Sequence, residues 1–180
     1  GQISKVVPRP PVARVTSPTV VATEAIAWLG SDETRSWHWE GNVQCALREH
    51  LEQTGWTITA FANTGTKEAG TDVVAIRGRS TLMVEVKGYP STTYEHGARR
   101  GLPKPTQPTN QARQWYSHAL LSVMRLLEKK PAAHVALCFP DFPTYRKLVT
   151  ATRTSLRRLG VGVFLISEQG AVIEHLEVID

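Results

Sequence analysis

Two short runs of β-branched and aliphatic residues lie so close together in the sequence that they predict a tight β-hairpin. The runs cover residues 72–77 and 81–87, and Gly78-Arg79-Ser80 joins them. A two-residue turn of type II′ that begins with Gly78 would set Arg77 opposite Ser80. Counting outward from that pair sets Asp72 opposite Glu85. The turn therefore constrains the fold strongly, because a shift of one residue would move a whole strand's side chains to the other face.

Three charged side chains meet in this predicted hairpin. Glu85 and Lys87 share one face of their strand, roughly 6.5–7 Å apart, and Asp72 would lie about 4.5–5.5 Å from Glu85. Leu82, Val84 and Val86 make the strand apolar and hence central, where charges are costly unless they pair or bind something. Two adjacent carboxylates repel each other unless a cation lies between them. Hard divalent ions suit oxygen ligands, so we predict a Mg²⁺ site at which Lys87 orients or activates an attacking water and offsets charge that develops on the phosphoryl oxygens.

The order of the remaining elements predicts one α/β domain. An apolar stripe indicates a helix that begins between Ser31 and Ser36 and ends near Gln53, and residues 56–62 read as a strand. After the hairpin we expect a helix from about residue 109 or 110 to 130, a strand at 133–139, a helix at 143–159, and strands at 161–166 and 171–178. The order α-β-β-β-α-β-α-β-β favours a central mixed sheet with helices on both faces, three layers in all, within residues 24–180.

Two segments carry little periodic pattern. Residues 1–23 are rich in proline and predict an extended arm or linker, with a short helical turn at 23–29. Residues 88–108 hold several prolines and glycines, and such a long irregular connection is usually functional or disordered.

The net charge of +5 is unevenly distributed. Residues 24–87 carry nine acids and six bases, residues 88–130 carry seven bases and two acids, and residues 141–160 carry five bases and one acid. This pattern favours an acidic centre beside a phosphate-binding surface, although solvated helix faces would give the same counts. The absence of a long apolar run argues against a membrane span, and two distant cysteines favour a cytoplasmic, intracellular setting.

The motif G-T-D, twelve further residues and then E-V-K, in the order α-β-β-β-α-β, resembles the PD-(D/E)XK nuclease superfamily with its restriction-endonuclease-like fold. The resemblance covers about residues 33–140, and Thr71 stands where the family often has proline. It implies that Asp72 and Glu85 bind Mg²⁺ and that Lys87 serves the attacking water. It also implies a further catalytic carboxylate at Glu40 on the first helix and a glutamine at Gln111 on the later helix.

The resulting hypothesis is a Mg²⁺-dependent DNA phosphodiesterase, an endonuclease in restriction, repair or recombination, with Mn²⁺ as a substitute ion. The Val86 carbonyl is a further candidate metal ligand. Double-stranded DNA is the expected partner, in contact with four basic residues: Arg99, Arg100, Lys104 and Arg113. Tyr89, Tyr94 and Trp115 are candidates for stacking on bases, although the apolar stripe of the later helix favours Trp115 as a core residue. Two copies could pair to cut both strands.

Each candidate also has a structural interpretation. Glu40 would favour the start of a helix through the helix dipole, and Gln111 would satisfy loop amides. Glu85 and Lys87 would form an ordinary salt bridge. The alternatives to an enzyme are therefore a non-catalytic nucleic-acid-binding module on the same fold, or an interaction domain with residues 1–23 as a tether.

Overall fold

The computed structural model describes residues 35–62, 70–94 and 97–176. Its elements are, in chain order, α1 (Glu40–Gln53), β1 (Thr57–Phe61), β2 (Val73–Arg77), β3 (Ser80–Val86), α2 (Pro108–Lys129), β4 (His134–Pro140), α3 (Pro143–Leu159), β5 (Val161–Ile166) and β6 (Val172–Leu176). The predicted element order is confirmed. The predicted arm at 1–23 and turn at 23–29 lie outside the described residues.

The first helix begins later than predicted. Residues 36–39 form a turn, in which the Trp39 N–H donates to the Ser36 carbonyl at 2.9 Å. Trp39 has extended backbone angles of φ −65° and ψ 138°, so regular helix begins at Glu40. The predicted start between Ser31 and Ser36 is therefore wrong, and Glu40 becomes the first residue of α1.

The six strands lie side by side in chain order and form one mixed sheet. The neighbours β1, β2 and β3 are antiparallel, whereas β3, β4 and β5 are parallel and β6 returns antiparallel. Parallel neighbours need a crossover connection, and here α2 and α3 supply it. The prediction of an α/β domain with a mixed sheet is confirmed.

Alternate residues of the central strands face two separate cores. Val84 and Val86 of β3 pack in one cluster with Val43 and Leu47 of α1. Phe139 of β4 belongs to the cluster on the opposite face, which includes these residues of α2 and α3: Ala112, Tyr116, Ala119, Val123, Tyr145, Val149 and Leu156. Helices therefore cover both faces, as in a three-layer domain. No helix in the described ranges is long and apolar enough to cross a bilayer.

The hairpin register follows the prediction. Arg77 pairs with Ser80, and the pairing continues to Val73 opposite Val84. Gly78 has φ 61°, a left-handed conformation that glycine adopts without steric cost. Counting one residue beyond this ladder sets Asp72 opposite Glu85. Glu85 faces away from the α1 core because its neighbours Val84 and Val86 face toward it.

The apolar stripe of α2 differs from the predicted one at one residue. We expected Trp115 in the core, but Tyr116 is buried there and Trp115 is only partly buried. The buried positions 112, 116, 119 and 123 follow a four-three-four spacing, and Trp115 is one residue off this line. The Tyr116 hydroxyl can be buried because it lies 2.5 Å from the Thr152 hydroxyl.

The connection between β3 and α2 is more ordered than the sequence indicated. The Tyr94 N–H donates to the Leu102 carbonyl at 3.0 Å, the Gly101 N–H to the Tyr94 carbonyl at 2.8 Å, and the Lys104 N–H to the Thr92 carbonyl at 2.8 Å. In its described part, backbone hydrogen bonds join residues 92–94 to residues 101–104, so the two ends of this stretch lie side by side. We call residues 92–94 and 97–104 the excursion; its hydrogen bonds fix the position of Tyr94.

Candidate active site

Lys87, directly after β3, is the centre of a cluster of charged side chains. Its Nζ lies 2.8 Å from Glu85 Oε1, 3.6 Å from Asp72 Oδ2 and 3.8 Å from Glu40 Oε2. The same Nζ donates to the Val86 carbonyl at 2.7 Å. All four oxygen donors predicted for the metal thus surround one ammonium group.

The hairpin and the neighbouring parallel strand hold this cluster in place. The Val86 N–H donates to Asp72 Oδ2 at 2.6 Å, which fixes the carboxylate against the end of β3. The Lys87 N–H donates to the Cys138 carbonyl of β4 at 3.0 Å. Because Lys87 is tied to β4 by its backbone, its side chain projects from a rigid part of the sheet.

Glu40 reaches the cluster because Gly88 lets the end of β3 approach α1 closely. The Tyr89 N–H donates to the His38 carbonyl at 2.9 Å, and His38 Nδ1 lies 3.0 Å from the Tyr89 carbonyl. A Cβ atom on Gly88 would lie only 2.7 Å from both the Glu40 nitrogen and the His38 carbonyl oxygen. Residue 88 therefore has to be glycine for this approach. A glycine that directly follows E-V-K was the available sequence signal.

Two buried polar side chains, one from each side of the sheet, hold backbone carbonyls of cluster residues or their neighbours, and sequence reasoning missed both. Gln44 of α1 is 1% exposed, and its Nε2 donates to the Asp72 carbonyl at 2.7 Å and to the Ala62 carbonyl at 2.9 Å. The buried Tyr145 of α3 donates its hydroxyl to the Gly88 carbonyl at 2.8 Å. The signal for Gln44 was a polar residue beside the apolar stripe of α1.

Burial and charge act in opposite directions on the cluster. Burial raises the pKa of Glu40 and of Asp72 above their ordinary values, although the Lys87 ammonium opposes this change. Burial lowers the pKa of Lys87, but attraction to Asp72, Glu40 and Glu85 outweighs it and leaves that pKa raised. Lys87 is therefore a cation at neutral pH. The cluster holds three carboxylates and one ammonium, so it would attract a further cation as the carboxylates ionise.

No family model, curated protein or solved structure matches this chain.

The oxygen donors of the cluster are of the kind that Mg²⁺ takes, namely carboxylates and a backbone carbonyl. Within the described ranges, however, no three His, Cys, Asp or Glu side chains form a group that could hold a metal ion by themselves. Lys87 Nζ occupies the point on which the three carboxylates converge. An ion bound by these carboxylates would therefore take over some of the contacts that they now make with Lys87.

The remaining predicted residues form no hydrogen bond or ion pair with this cluster. Gln111 is partly exposed in the first turn of α2, and its side chain makes no hydrogen bond to a described residue. Arg99, Arg100 and Arg113 are exposed. Lys104 donates to the Ser91 hydroxyl at 2.9 Å. The contacts of the described residues therefore join Asp72, Glu85, Lys87, Glu40 and Val86 in one network, and Gln111 is not part of it.

Two grooves flank the cluster. The first, here called the aromatic groove, has a volume of about 820 Å³ and is lined by Arg35, His38, Tyr89, Tyr94, Arg100 and Phe142, among others. The second, here called the basic groove, has about 370 Å³ and is lined by Thr71, Met83, Glu85, Arg125, Lys129 and Lys130, among others. The three basic residues of the second groove were missed. Arg125 and Lys129 are four residues apart and thus share a helix face, which was the available signal.

Proposed function

We propose that this chain is a Mg²⁺-dependent DNA phosphodiesterase, an endonuclease with a restriction-endonuclease-like arrangement of the PD-(D/E)XK type. The observation that carries the proposal is the convergence of Asp72, Glu85 and Glu40 on Lys87 at the end of a central strand. Carboxylates that are buried or partly buried in excess over cations destabilise a folded protein. A bound divalent cation would neutralise this excess and could also bind a phosphate.

Asp72, Glu85 and the Val86 carbonyl would hold the ion, with Glu40 beside them. Mg²⁺ is usually bound by one or two carboxylates and keeps several waters, so Asp72 and Glu85 are enough to hold it. When bound, the ion supplies charge neutralisation on the phosphate and lowers the pKa of a water. Mn²⁺ prefers similar oxygen donors and would substitute.

Lys87 acts as a cation rather than as a base in this proposal. In the metal-free cluster the three carboxylates raise the pKa of Lys87 and keep a proton on Nζ at neutral pH, which favours the ammonium form for this role. An ammonium held by Glu85 and the Val86 carbonyl can donate hydrogen bonds to a water or to a phosphoryl oxygen. It would therefore orient the attacking water and stabilise negative charge that develops on the phosphate.

The basic groove provides a path for the DNA backbone next to the cluster. Arg125, Lys129 and Lys130 share that groove with Glu85, so phosphates on one side of the cut would meet positive charge. Arg99, Arg100, Lys104 and Arg113 would contact the backbone on other sides. Contacts of this kind are independent of sequence and weaken as salt increases. Duplex DNA is the expected partner, and two paired copies would be needed for a simultaneous cut of both strands.

A second candidate function is nucleic-acid binding without catalysis. The observation that favours it is that Lys87 already contacts all three carboxylates and the Val86 carbonyl. Such a network gives every carboxylate a contact with the ammonium and could serve stability alone. This candidate predicts salt-dependent DNA binding with no metal-dependent cleavage.

Incubation of supercoiled, linear, single-stranded and branched DNA with Mg²⁺ or Mn²⁺ tests the proposal. We expect cleavage by the wild type that EDTA abolishes. Asp72→Asn and Lys87→Ala should each lower the rate by at least about 100-fold, because each removes a group that acts on the phosphate or its ion.

The matched control is Glu52→Gln, which removes an exposed carboxylate from the same helix as Glu40. It should cut at the wild-type rate. If the wild type does not cut, or if Asp72→Asn and Lys87→Ala cut as fast as the control, the catalytic proposal fails. DNA binding without cutting would favour the second candidate.

A further inference from the structure

The aromatic groove lies directly beside the charged cluster. Tyr89 follows Lys87 by two residues, and His38 precedes Glu40 by two; both line the groove. His38 and Tyr89 are also joined by two hydrogen bonds, so the groove wall and the cluster are parts of one rigid unit. Its volume of about 820 Å³ is within the range of roughly 300–1,000 Å³ that small-molecule sites occupy. A ligand that reaches the cluster could therefore continue into the groove.

One wall of the groove is a stack of aromatic rings. Phe142 lies between Trp37 and Tyr89, with ring centroids 5.3 Å and 3.9 Å away and planes within 6° of parallel. Tyr145 packs edge-on against Tyr89 and fixes it from behind. These rings stack on each other, so they give the groove a rigid apolar surface.

The groove is also lined by a tyrosine, Tyr94, with basic side chains near its ring. Tyr94 is partly buried and has no aromatic partner within the described ranges. The Arg99 guanidinium and the Lys104 ammonium lie 5.8 Å and 5.9 Å from its ring centroid. Arg100 lines the groove close by. A flat ring surrounded by cations can take a nucleobase on the ring and phosphates on the cations.

We propose that the aromatic groove binds unpaired nucleotides next to the phosphate that is cut, with a base stacked on Tyr94. Bases within a duplex stack on each other and cannot reach a tyrosine ring inside a groove, so the groove selects DNA that is locally single-stranded. The inference rests on the proposed function and defines its substrate further. Forked, gapped or flapped DNA with unpaired nucleotides at the cut is then a better substrate than continuous duplex.

Binding without cleavage gives the first test. Short fluorescent single-stranded oligonucleotides are titrated in EDTA into the wild type, Tyr94→Ala, Tyr94→Leu and Tyr94→Trp. Loss of one base–aromatic stack weakens binding by roughly 5- to 150-fold, so we expect this loss in the first two variants and recovery in the third. Leu102→Ala is the control, because Leu102 is exposed on the same excursion and should bind as the wild type does.

Arg100→Ala should reduce the salt dependence of single-strand binding by about 0.7 in the slope of log affinity against log salt.

Duplex binding by Tyr94→Ala should stay within about twofold of the wild type. Equal single-strand binding by Tyr94→Ala, Tyr94→Leu and the wild type, with Tyr94→Ala correctly folded by circular dichroism, would overturn the inference. So would an equal loss for Leu102→Ala, since that would indicate damage to the excursion.

Cleavage separates the inference from the function on which it rests. In Mg²⁺ the wild type should cut a fork faster than a matched duplex, and Tyr94→Ala should lose this preference. Cleavage with no preference for unpaired DNA, or with a preference that survives Tyr94→Ala, would overturn the inference and leave the nuclease intact. Single-strand binding that depends on Tyr94, without any cleavage, would support the groove and reject the nuclease.

Discussion

Gly88 is the residue that brings the start of α1 to the end of β3. Its missing side chain leaves room for the Glu40 nitrogen and the His38 carbonyl, each of which would lie 2.7 Å from a Cβ atom. Both neighbours are backbone, so neither can rotate away as a side chain could. The position of Glu40 beside Lys87 depends on this contact.

We therefore predict that Gly88→Ala destabilises the protein by about 1–3 kcal/mol, the usual cost of overpacking. Cleavage should also slow, because the start of α1 must move and take Glu40 with it. Urea unfolding measures the first effect and the plasmid assay the second. Wild-type stability in Gly88→Ala would contradict the close approach.

At the scale of single residues, the sequence predicts the charged cluster but not the groups that support it. Asp72, Glu85 and Lys87 could be placed on one face because a two-residue turn fixes the count along both strands. Gln44 and Tyr145 come from distant parts of the chain, and Gly88, although it directly follows Lys87, acts through its approach to α1. Local sequence signals can mark Gly88 and Gln44 as unusual, but they do not report the contacts themselves, which depend on how α1 and α3 pack against the sheet.

Among the elements, α1 is joined to the start of β2 by a buried amide as well as by its apolar stripe. Gln44 donates to the Asp72 and Ala62 carbonyls. These two carbonyls belong to residues that flank the connection between β1 and β2, so one side chain holds both ends. The backbone of Asp72 is thereby fixed as firmly as its carboxylate.

Gln44→Leu tests this role with a side chain of similar size. It leaves two buried acceptors with fewer donors, so we expect a loss of about 1–3 kcal/mol in the free energy of unfolding. The control Gln53→Leu changes an exposed glutamine at the end of the same helix and should stay within about 0.5 kcal/mol. An equal small effect of the two changes in urea unfolding would show that the amide bonds contribute little.

The order of the elements could be predicted because apolar residues recur at the period of a helix or of a strand. In α2 the prediction differs from the structure at one position, where Tyr116 rather than Trp115 is buried. The excursion between β3 and α2 could not be predicted for a different reason. It is held by backbone hydrogen bonds such as Tyr94 to Leu102, and backbone groups leave no mark on side-chain periodicity. The position of Gln111 on α2 was inferred from element order alone, which does not specify what its side chain contacts.

For the whole molecule, the charged cluster links stability to pH. The pKa values of Glu40 and Asp72 are raised above their ordinary 4.5 and 3.8, chiefly by burial. The folded chain therefore holds these two protons more tightly than the unfolded chain does. Their contribution to stability is fully present below the ordinary pKa values and is lost as pH rises through the folded ones. The raised pKa of Lys87 acts only in the alkaline range, above its ordinary 10.5.

The double variant Glu40→Gln/Asp72→Asn removes both titrations. We predict that in EDTA it gains stability relative to the wild type as the pH rises above the ordinary pKa values of 4.5 and 3.8, because only the wild type loses the two protons as the pH passes through their raised pKa values. Urea unfolding at several pH values measures the difference in the free energy of unfolding between the two proteins. The other carboxylates contribute equally to both proteins and do not affect this difference. If the difference in the free energy of unfolding between the two proteins does not change with pH, then burial does not raise the pKa values of Glu40 and Asp72.

Lys87 also has a consequence for how the protein comes into being. Because its ammonium is part of the strand that carries Glu85, the chain brings its own counter-ion to the carboxylates as β3 forms. A newly made chain can thus complete its fold without a supply of divalent metal. In the proposed function, entry of an ion would be an exchange, in which the lysine gives up some of its carboxylate contacts and is released to act on the phosphate.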